Sequence, residues 1–369
     1  MELFKHCKIY APEQLPETQV LTANGKILAI DDNLSVTGLP VEEFDLEGRY
    51  LCPGFIDQHV HVTGGGGQFG FASLIPEVTK EELAATGTTT VVGLLGTDGF
   101  VKDLPTLYAK VKALDEQGLS AYMLTSYYGL PEKTLMGSVA EDLIYIDKVI
   151  GCKLALSDDR SSFPTELEIL RLINQVRLGG FTSGKHGILH IHLGNLKTRI
   201  DVLHSIVDQY PSLISYLSPT HCIRTRDLFD TCVEFAKKGG MIDLSAGGTR
   251  FTEAHKAVGM ALEAGVPLAK MTFSSDGHGG VRREDPVTGT VTYTPAPLTC
   301  TFKEMAALVT DGILPLESAL TLLTCNPARN LSLKTKGRIA VGCDADFVVL
   351  DDNLSIHSVY ARGKKVYES

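Results

Sequence analysis

Short apolar runs rich in β-branched residues alternate with longer segments of helical period between residues 52 and 276. This alternation is typical of parallel strands joined by crossover helices. Eight such strand–helix units predict a closed (β/α)8 TIM barrel. The predicted strands are Leu51–His59, Thr88–Gly96, Leu119–Tyr127, Val149–Ser157, Gly187–Leu193, Ile214–Thr220, Gly240–Ser245 and Met271–Asp276. The predicted helices between them include Leu104–Glu116, Thr165–Val176, Leu196–Asp208, Thr225–Lys238 and Thr252–Ala264.

The two ends of the chain have a different pattern. Residues 1–50 carry short alternating strands interrupted by the hairpin turn signal Ala23-Asn24-Gly25-Lys26, and the tail after Lys336 repeats that style. Isolated hairpins of this size are only marginally stable, so neither end could bury a core alone. We therefore predict a small discontinuous β-sandwich domain from residues 1–50 and 333–369, and a barrel domain over residues 51–332.

Composition and charge narrow the partners that this fold can take. The chain is 44% hydrophobic and 21% charged, as in an ordinary globular protein. A formal charge of −10 argues against a nucleic-acid surface and favours a small-molecule partner. The first residues lack the apolar run of a signal peptide, and no stretch is long and apolar enough to span a bilayer. We therefore expect a cytoplasmic protein with no membrane partner.

Eight cysteines are scattered along the chain without a Cys-x-x-Cys pair. This spacing favours small buried hydrophobic residues over a disulfide framework or a zinc ribbon.

The first candidate for chemistry is the pair His59 and His61. Residues two apart on a strand project to the same face, so both imidazoles can bind one metal ion. The pair alone is ambiguous, because short motifs occur by chance. Other candidate ligands also lie in the predicted strands or at their C-terminal ends, where the active sites of this fold collect. They are Lys153, His192, His221 and Asp276.

Lys153 lies in the middle of an apolar predicted strand, Val149–Ser157. Burial lowers the pKa of an amine, and a neutral amine can react with carbon dioxide to form a carbamate whose two oxygens could bridge two ions. The alternative is a lysine that reaches solvent or pairs with Asp158 or Asp159.

Four histidines, one aspartate and a carbamate suit two divalent ions such as zinc, and so a hydrolytic centre. Asp276 could accept the proton of the attacking water and pass it to a leaving amine. His190 and His278 are interpreted as structural residues or as supports for the ligands.

These residues resemble the amidohydrolase superfamily, and within it the isoaspartyl dipeptidases. The resemblance covers nearly the whole chain. The motifs that carry it are Pro53-Gly54-Phe55-Ile56-Asp57-Gln58-His59-Val60-His61, Gly64-Gly65-Gly66-Gly67, Val92-Gly93-Leu94-Leu95-Gly96-Thr97-Asp98, Ser157-Asp158-Asp159-Arg160-Ser161, Pro219-Thr220-His221 and Ser274-Ser275-Asp276-Gly277, with the tail Gly337 to Asp346.

The resemblance implies a metallopeptidase that cleaves the amide bond of β-aspartyl (isoaspartyl) dipeptides by attack of a metal-bridging hydroxide. It implies two zinc ions, a carboxylated lysine (N6-carboxylysine) at Lys153, and assembly into a homo-oligomer. Tyr128 would stabilise the developing oxyanion, and Arg160 and Arg224 would bind substrate carboxylates. Gly66 and Thr97 match further substrate contacts.

The sequence departs from the family at two positions that would contact substrate. The family has glutamate, which binds the substrate ammonium, where this chain has Gln68, and serine where it has Gly280. These changes suggest a close analogue with an altered amino end. Either Arg282 or Arg283 could replace the lost serine contact, or both could be solvated loop charges.

Three other functions use the same fold. A single-metal deaminase is less expected, because such members generally lack the lysine carbamate of the fourth strand. A cyclic amidohydrolase of the dihydroorotase or hydantoinase type would have the same metals, although the glycine run and the two arginines argue against it. A non-catalytic relative that keeps the fold for assembly typically loses ligands, and here all six ligand positions are filled.

Overall fold

The computed structural model describes residues 1–369. Its nineteen strands are β1 Glu2–Lys5, β2 Lys8–Ile9, β3 Gln19–Ala23, β4 Lys26–Asp31, β5 Glu42–Asp45, β6 Tyr50–Pro53, β7 Phe55–Val60, β8 Thr88–Gly93, β9 Ser120–Ser126, β10 Val149–Leu156, β11 Ile188–Leu193, β12 Leu217–Thr220, β13 Ile242–Ser245, β14 Met271–Ser274, β15 Gly280–Glu284, β16 Val291–Pro295, β17 Phe347–Leu350, β18 Ile356–Ala361 and β19 Lys364–Glu368. Its ten α-helices are α1 Lys80–Ala84, α2 Leu104–Glu116, α3 Val139–Tyr145, α4 Glu166–Ser183, α5 Asp201–Gln209, α6 Arg226–Lys237, α7 Ala254–Glu263, α8 Cys300–Thr310, α9 Leu316–Thr321 and α10 Cys325–Asn330.

Strands β7 to β14 form the predicted barrel, and each is followed by a helix. Strands β7 to β12 pair in parallel in chain order, and β13 pairs in parallel with β14. The Cys222 amide donates to the Asp243 carbonyl across the seam between β12 and β13. The His61 amide donates to the Gly277 carbonyl at 2.9 Å and closes the seam between the last strand and the first.

Burial explains why these strands are nearly continuous apolar runs. All eight residues of β10 are buried, because a parallel sheet is covered on both faces. Five of the ten α-helices begin at a side-chain cap. Thr165 and Glu168 form a capping box for α4, which ends at Gly184 in the left-handed conformation.

Several predicted elements differ from the structure in their bounds, and the cause is visible for three of them. The first predicted strand is two strands, because β6 pairs with β17 and Gly54 then passes so close to Thr89 that a Cβ would lie 2.1 Å from its Oγ1. A 3-10 helix, Pro211–Tyr216, replaces the start of the sixth. Helix α5 begins at Asp201, because Arg199 has a positive φ of 45° that a helix cannot contain.

The chain ends form two sheets with a hydrophobic layer between them. One sheet has the order β4-β3-β1-β5, and the other has the order β19-β18-β17-β6-β2. The ring of Phe4 from the first sheet packs against Phe347 and Tyr360 from the second, with centroids 5.1 and 4.9 Å apart. Asn24 and Gly25 both have positive φ, as the predicted hairpin turn requires. The division of the chain into two domains stays a prediction.

The hairpin β15–β16 lies between β14 and α8 and pairs with no other strand. None of the helices is both long enough and apolar enough to cross a bilayer.

The tail is joined to the barrel by a buried cation. The Lys336 ammonium lies 2.5 Å from Asp346, 2.9 Å from Asp344 and 2.6 Å from the Ser120 hydroxyl at the start of β9. Burial opposes its charge, but the two carboxylates outweigh burial and raise its pKa.

We expect Lys336→Met to lower the free energy of unfolding by about 3–5 kcal/mol, because it leaves the buried Asp346 carboxylate without its cation and removes one of the two cations of Asp344. Denaturant unfolding measures the loss. The matched control is Lys26→Met, which removes a 44% exposed partner of the same Asp344. That exposed pair should contribute about 1 kcal/mol or less. Equal losses in the two variants would contradict the structural role of Lys336.

Candidate active site

A cavity of about 190 Å³ opens at the C-terminal ends of the barrel strands. It brings together twelve of the thirteen residues that the sequence predicts for the site, and the thirteenth, His221, lies beside it in the cluster described next. Residues up to 221 positions apart in the chain, His59 and Gly280, meet here, as expected for a barrel that collects its strand ends at one face. The lining residues are His59, His61, Gly66, Gln68, Gly96, Thr97, Tyr128, Lys153, Arg160, His192, Arg224, Asp276, Gly279 and Gly280.

The floor of the cavity carries a cluster of potential metal ligands. Ligand atoms of His59, His221 and Asp276 all lie within 4.8 Å of one another. One carboxylate oxygen of Asp276 lies 3.2 Å from Nε2 of His59 and 3.3 Å from Nε2 of His61. Nε2 of His221 is buried and has no hydrogen-bond partner in the protein, as expected for an atom that binds an ion. The residues therefore fit a divalent metal site.

Backbone geometry places two of these ligands. His221 directly follows β12 and has a φ of 64°, and Asp276 follows β14 and has a φ of 53°. Left-handed conformations in residues other than glycine cost about 1–3 kcal/mol each and cluster at functional sites. The strand ends therefore turn sharply where the ligands must point into the cavity.

Each of two ligand histidines is held by a second contact on its other ring nitrogen. Nδ1 of His221 lies 2.5 Å from the Ser245 hydroxyl. Nδ1 of His59 lies 2.9 Å from Nε2 of His190, whose own Nδ1 lies 3.1 Å from the Ser218 hydroxyl. A ring that donates through Nδ1 keeps Nε2 free to bind metal. The interpretation of His190 as a support is consistent with these contacts.

Lys153 is completely buried in β10, with Nζ 3.4 Å from Nε2 of His59. Burial lowers its pKa to about 7, so much of the population is a neutral amine near neutral pH. The alternative partners lie elsewhere: Asp158 pairs with Arg160 at 2.8 Å, and Asp159 is 84% exposed. Lys153 therefore faces the histidine cluster and not an acidic partner.

Burial lowers the pKa of His59, His192 and His221, whereas His61 and Asp276 are shifted toward their charged forms. Burial opposes ionisation of both His61 and Asp276, but other charges dominate. The nearby carboxylates of Asp276 and Asp98, 3.3 and 3.7 Å from its ring nitrogens, raise the pKa of His61 to about 9. The neighbouring histidines hold the pKa of Asp276 well below its usual range. A bound cation would balance the negative charge of Asp276, as a protonated His61 does here.

A second group of residues lines the cavity beside the cluster. The guanidinium of Arg160 donates to the Tyr128 hydroxyl at 3.3 Å and is held by Asp158. The guanidinium of Arg224 lies 3.3 Å from Nε2 of His192, and its buried Nε has no partner. These contacts leave guanidinium groups facing the cavity, where a carboxylate could accept from them. His192 thus lies between the metal cluster and the arginines.

Known proteins resemble this chain in both sequence and fold. A model of the Amidohydrolase family matches residues 185–366. A crystal structure of a β-aspartyl dipeptidase from Fervidobacterium islandicum AW-1, in complex with β-Asp-Leu, is 38% identical and has a TM-score of 0.92, covering 100% of this chain and 96% of that one. The chain belongs to the amidohydrolase superfamily. The resemblance stated from its motifs is confirmed, and so is the barrel fold.

Other members of the amidohydrolase superfamily match more weakly and differ in activity. A deacetylase from Brucella anthropi is 24% identical over 89% of this chain and 77% of its own length. A dihydroorotase from Listeria monocytogenes is 32% identical over 39% of this chain and 34% of its own. Family membership therefore establishes a hydrolase, and both the bond that it cleaves and its substrate have to be argued from the cavity.

Three residues that the sequence analysis singled out lie outside the cavity lining. Arg282 and Arg283 do not line the cavity: both are exposed on β15, and Arg282 pairs with Glu284 at 2.7 Å. The interpretation of these two residues as solvated charges is therefore correct. His278 contacts the Pro76 carbonyl and Glu82, and so holds the loop that follows β7.

Sequence reasoning missed Ser245 and Asp98. Ser245 ends β13 and holds His221, while Asp98 lies 3.7 Å from Nδ1 of His61. A signal existed for both, since each polar residue lies at or just beyond the C-terminal end of a predicted strand. Nothing in a single sequence shows which histidine each one contacts.

We expect Ser245→Ala to weaken metal binding about 10- to 100-fold, because the His221 ring loses the contact that orients it. Competition with a chelator for zinc measures the affinity. The control is Ser358→Ala, which removes a buried serine in β18, far from the barrel strand ends. Unchanged zinc affinity in the Ser245 variant would show that the ring is oriented by its packing alone.

Proposed function

We propose that this protein hydrolyses the amide bond of β-aspartyl (isoaspartyl) dipeptides, or of a close analogue with an altered amino end. The observation that carries the proposal is one small cavity that contains both a metal-type cluster and two cavity-facing arginines. A dipeptide linked through a side-chain amide has carboxylates for the arginines and an amide for the cluster. The similarity to a β-aspartyl dipeptidase at 38% identity supports the same substrate class.

The residues proposed to hold two zinc ions are the six of the sequence prediction. They are His59, His61, Lys153 as its carbamate, His192, His221 and Asp276. Bound divalent ions would polarise the scissile carbonyl and lower the pKa of a water molecule between them. The burial of Lys153 and its lack of an acidic partner support the carbamate.

The side chains of this chain would supply the remaining steps. Asp276 would accept a proton from the attacking water and donate it to the leaving amine, since its carboxylate already lies within 3.3 Å of two imidazoles. The Tyr128 hydroxyl, oriented by Arg160, would donate to the developing oxyanion. Arg160 and Arg224 would bind carboxylates of the substrate and fix the amide over the cluster. Location in the cytoplasm and assembly into a homo-oligomer remain part of the proposal.

Substrate choice tests the proposal directly. With zinc loaded, kcat/KM for β-aspartyl-leucine should exceed kcat/KM for dihydroorotate and for hydantoins. Asp276→Asn should lower kcat/KM for β-aspartyl-leucine by about 10²- to 10⁴-fold, because the proton carrier is lost. Release of leucine measures the first activity, and ring opening measures the second. Faster hydrolysis of dihydroorotate would support a cyclic amidohydrolase, to which the Listeria relative points.

Lys153 offers a test that does not depend on turnover. Reconstitution of the metal-free protein with zinc and ¹³C-bicarbonate should incorporate one labelled carbon, whereas Lys153→Met should incorporate none and bind less zinc. Metal analysis and carbon NMR measure the two outcomes. The control Lys102→Met removes a lysine that contacts the backbone carbonyls of Thr63 and Gly64 instead of the cluster, and it should keep the label. An unlabelled wild-type protein with a full complement of zinc would contradict the carbamate.

A further inference from the structure

One wall of the cavity has no charge of its own. We call it the glutamine wall: Gly66, Gln68, Thr97 and Gly280. The arginine wall is formed by Tyr128, Arg160 and Arg224. Asp276 is the only carboxylate that lines the cavity, and its contacts are with the histidine cluster. No acidic side chain therefore faces a substrate from the glutamine wall.

The protein itself holds the amide of Gln68 in place. Its Nε2 donates to the Gly280 carbonyl at 3.2 Å, which fixes the orientation of the amide because only the nitrogen can donate there. Thr97 Oγ1 lies 3.5 Å from Oε1 of Gln68 and donates to the Gly66 carbonyl at 3.1 Å. The Gly66 and Gly280 carbonyls thus each already accept a hydrogen bond from a side chain of the protein.

Close backbone packing leaves this wall little freedom to change. A Cβ at position 280 would lie 2.9 Å from the Gly66 Cα and 3.3 Å from Gln68 Nε2, so a side chain there would push the two loops apart. A Cβ at position 66 would lie 2.1 Å from the Ser73 carbonyl oxygen, and Gly66 has a positive φ of 91°. The wall therefore presents glycine Cα atoms, the Thr97 hydroxyl and the Gln68 amide, whose Nε2 is already hydrogen-bonded and whose Oε1 is a neutral acceptor.

An ammonium group would be poorly accommodated beside such a wall. Burying a cation without a counter-charge is costly, and an amide oxygen supplies a dipole but no charge. A methylene group at the same position needs no partner. The charge pattern of the cavity thus suits a substrate with carboxylates for the arginine wall and no cation facing the glutamine wall.

We propose that Gln68 is a specificity-determining residue that selects amides of a dicarboxylic acid with no ammonium beside the bound carboxylate. The simplest member of this class is a succinyl amide, from which water would cleave the C–N bond to give succinate and the free amino acid. This inference rests on the proposed function, because it assumes that the same site hydrolyses the amide.

The test compares β-aspartyl-leucine with succinyl-leucine, which differ only in the ammonium group. The wild-type protein should have the higher kcat/KM for succinyl-leucine. Gln68→Glu should shift the ratio toward β-aspartyl-leucine by about 10- to 100-fold, the range expected for a hydrogen bond to a charged group. A wild-type preference for β-aspartyl-leucine would overturn the proposal.

Gln68→Met is the matched control, because it keeps the length and neutrality of the side chain but loses the bond to Gly280. It should keep the preference for succinyl-leucine, and a shift as large as that of Gln68→Glu would show that loop geometry, not charge, sets the ratio. Calorimetry with succinate and aspartate supplies a readout apart from turnover, in which succinate should bind more tightly to the wild-type protein. If neither amide is hydrolysed, the proposed function fails, while this binding comparison still decides the role of Gln68.

Discussion

Closure of the barrel is the constraint on which the site depends. The last strand must return to the first, and two bonds record that return: the His61 amide donates to the Gly277 carbonyl, and the Ser275 amide donates to the Asp57 carboxylate. The residues that meet are more than 200 positions apart in the chain. The same closure brings Asp276 to within 3.3 Å of both histidines of the first strand. The cluster therefore forms only when all eight strands are in register, since His59 and His61 come from the first strand and Asp276 from the last.

Burial of so many titratable groups has to be compensated, and the barrel interior does this with a polar network. The Asp243 carboxylate accepts from Gln58, Thr220, Thr272 and Ser274, so four strands of the barrel are joined below the cluster. The Asn330 amide links Gln58 to Ser218, which in turn contacts His190. A buried network of this kind is rigid when each polar atom has a hydrogen-bond partner. A buried polar atom without a partner in the protein then marks a position where a ligand could bind. Nε2 of His221 is such an atom, and it faces the cluster.

The sequence predicted most of this architecture because the signals were local. Periodicity located the eight barrel strands and gave α2 its observed bounds, Leu104–Glu116, and strand ends identified the ligands. What failed depended on contacts between distant segments. The first predicted strand is divided because Thr89 approaches Gly54 and because β6 pairs with β17 from the tail. The support of His221 by Ser245 could not be read from one chain either, since any strand-end serine would have looked the same.

The two walls of the cavity are built differently, and this difference bears on how substrate preference can change. The cluster and the arginine wall rest on strand ends and on the buried network, so a substitution there disturbs groups that hold the ligands. The glutamine wall rests on two loops that meet at Gly66 and Gly280. Its members are coupled to each other, because a carboxylate at position 68 would oppose the Gly280 carbonyl and a side chain at 280 would displace Gly66. Positions 68 and 280 therefore depend on each other. Both segments also continue directly from the metal cluster, since the Gly64 amide donates to the His61 carbonyl and the Gly279 amide donates to the Asp276 carbonyl.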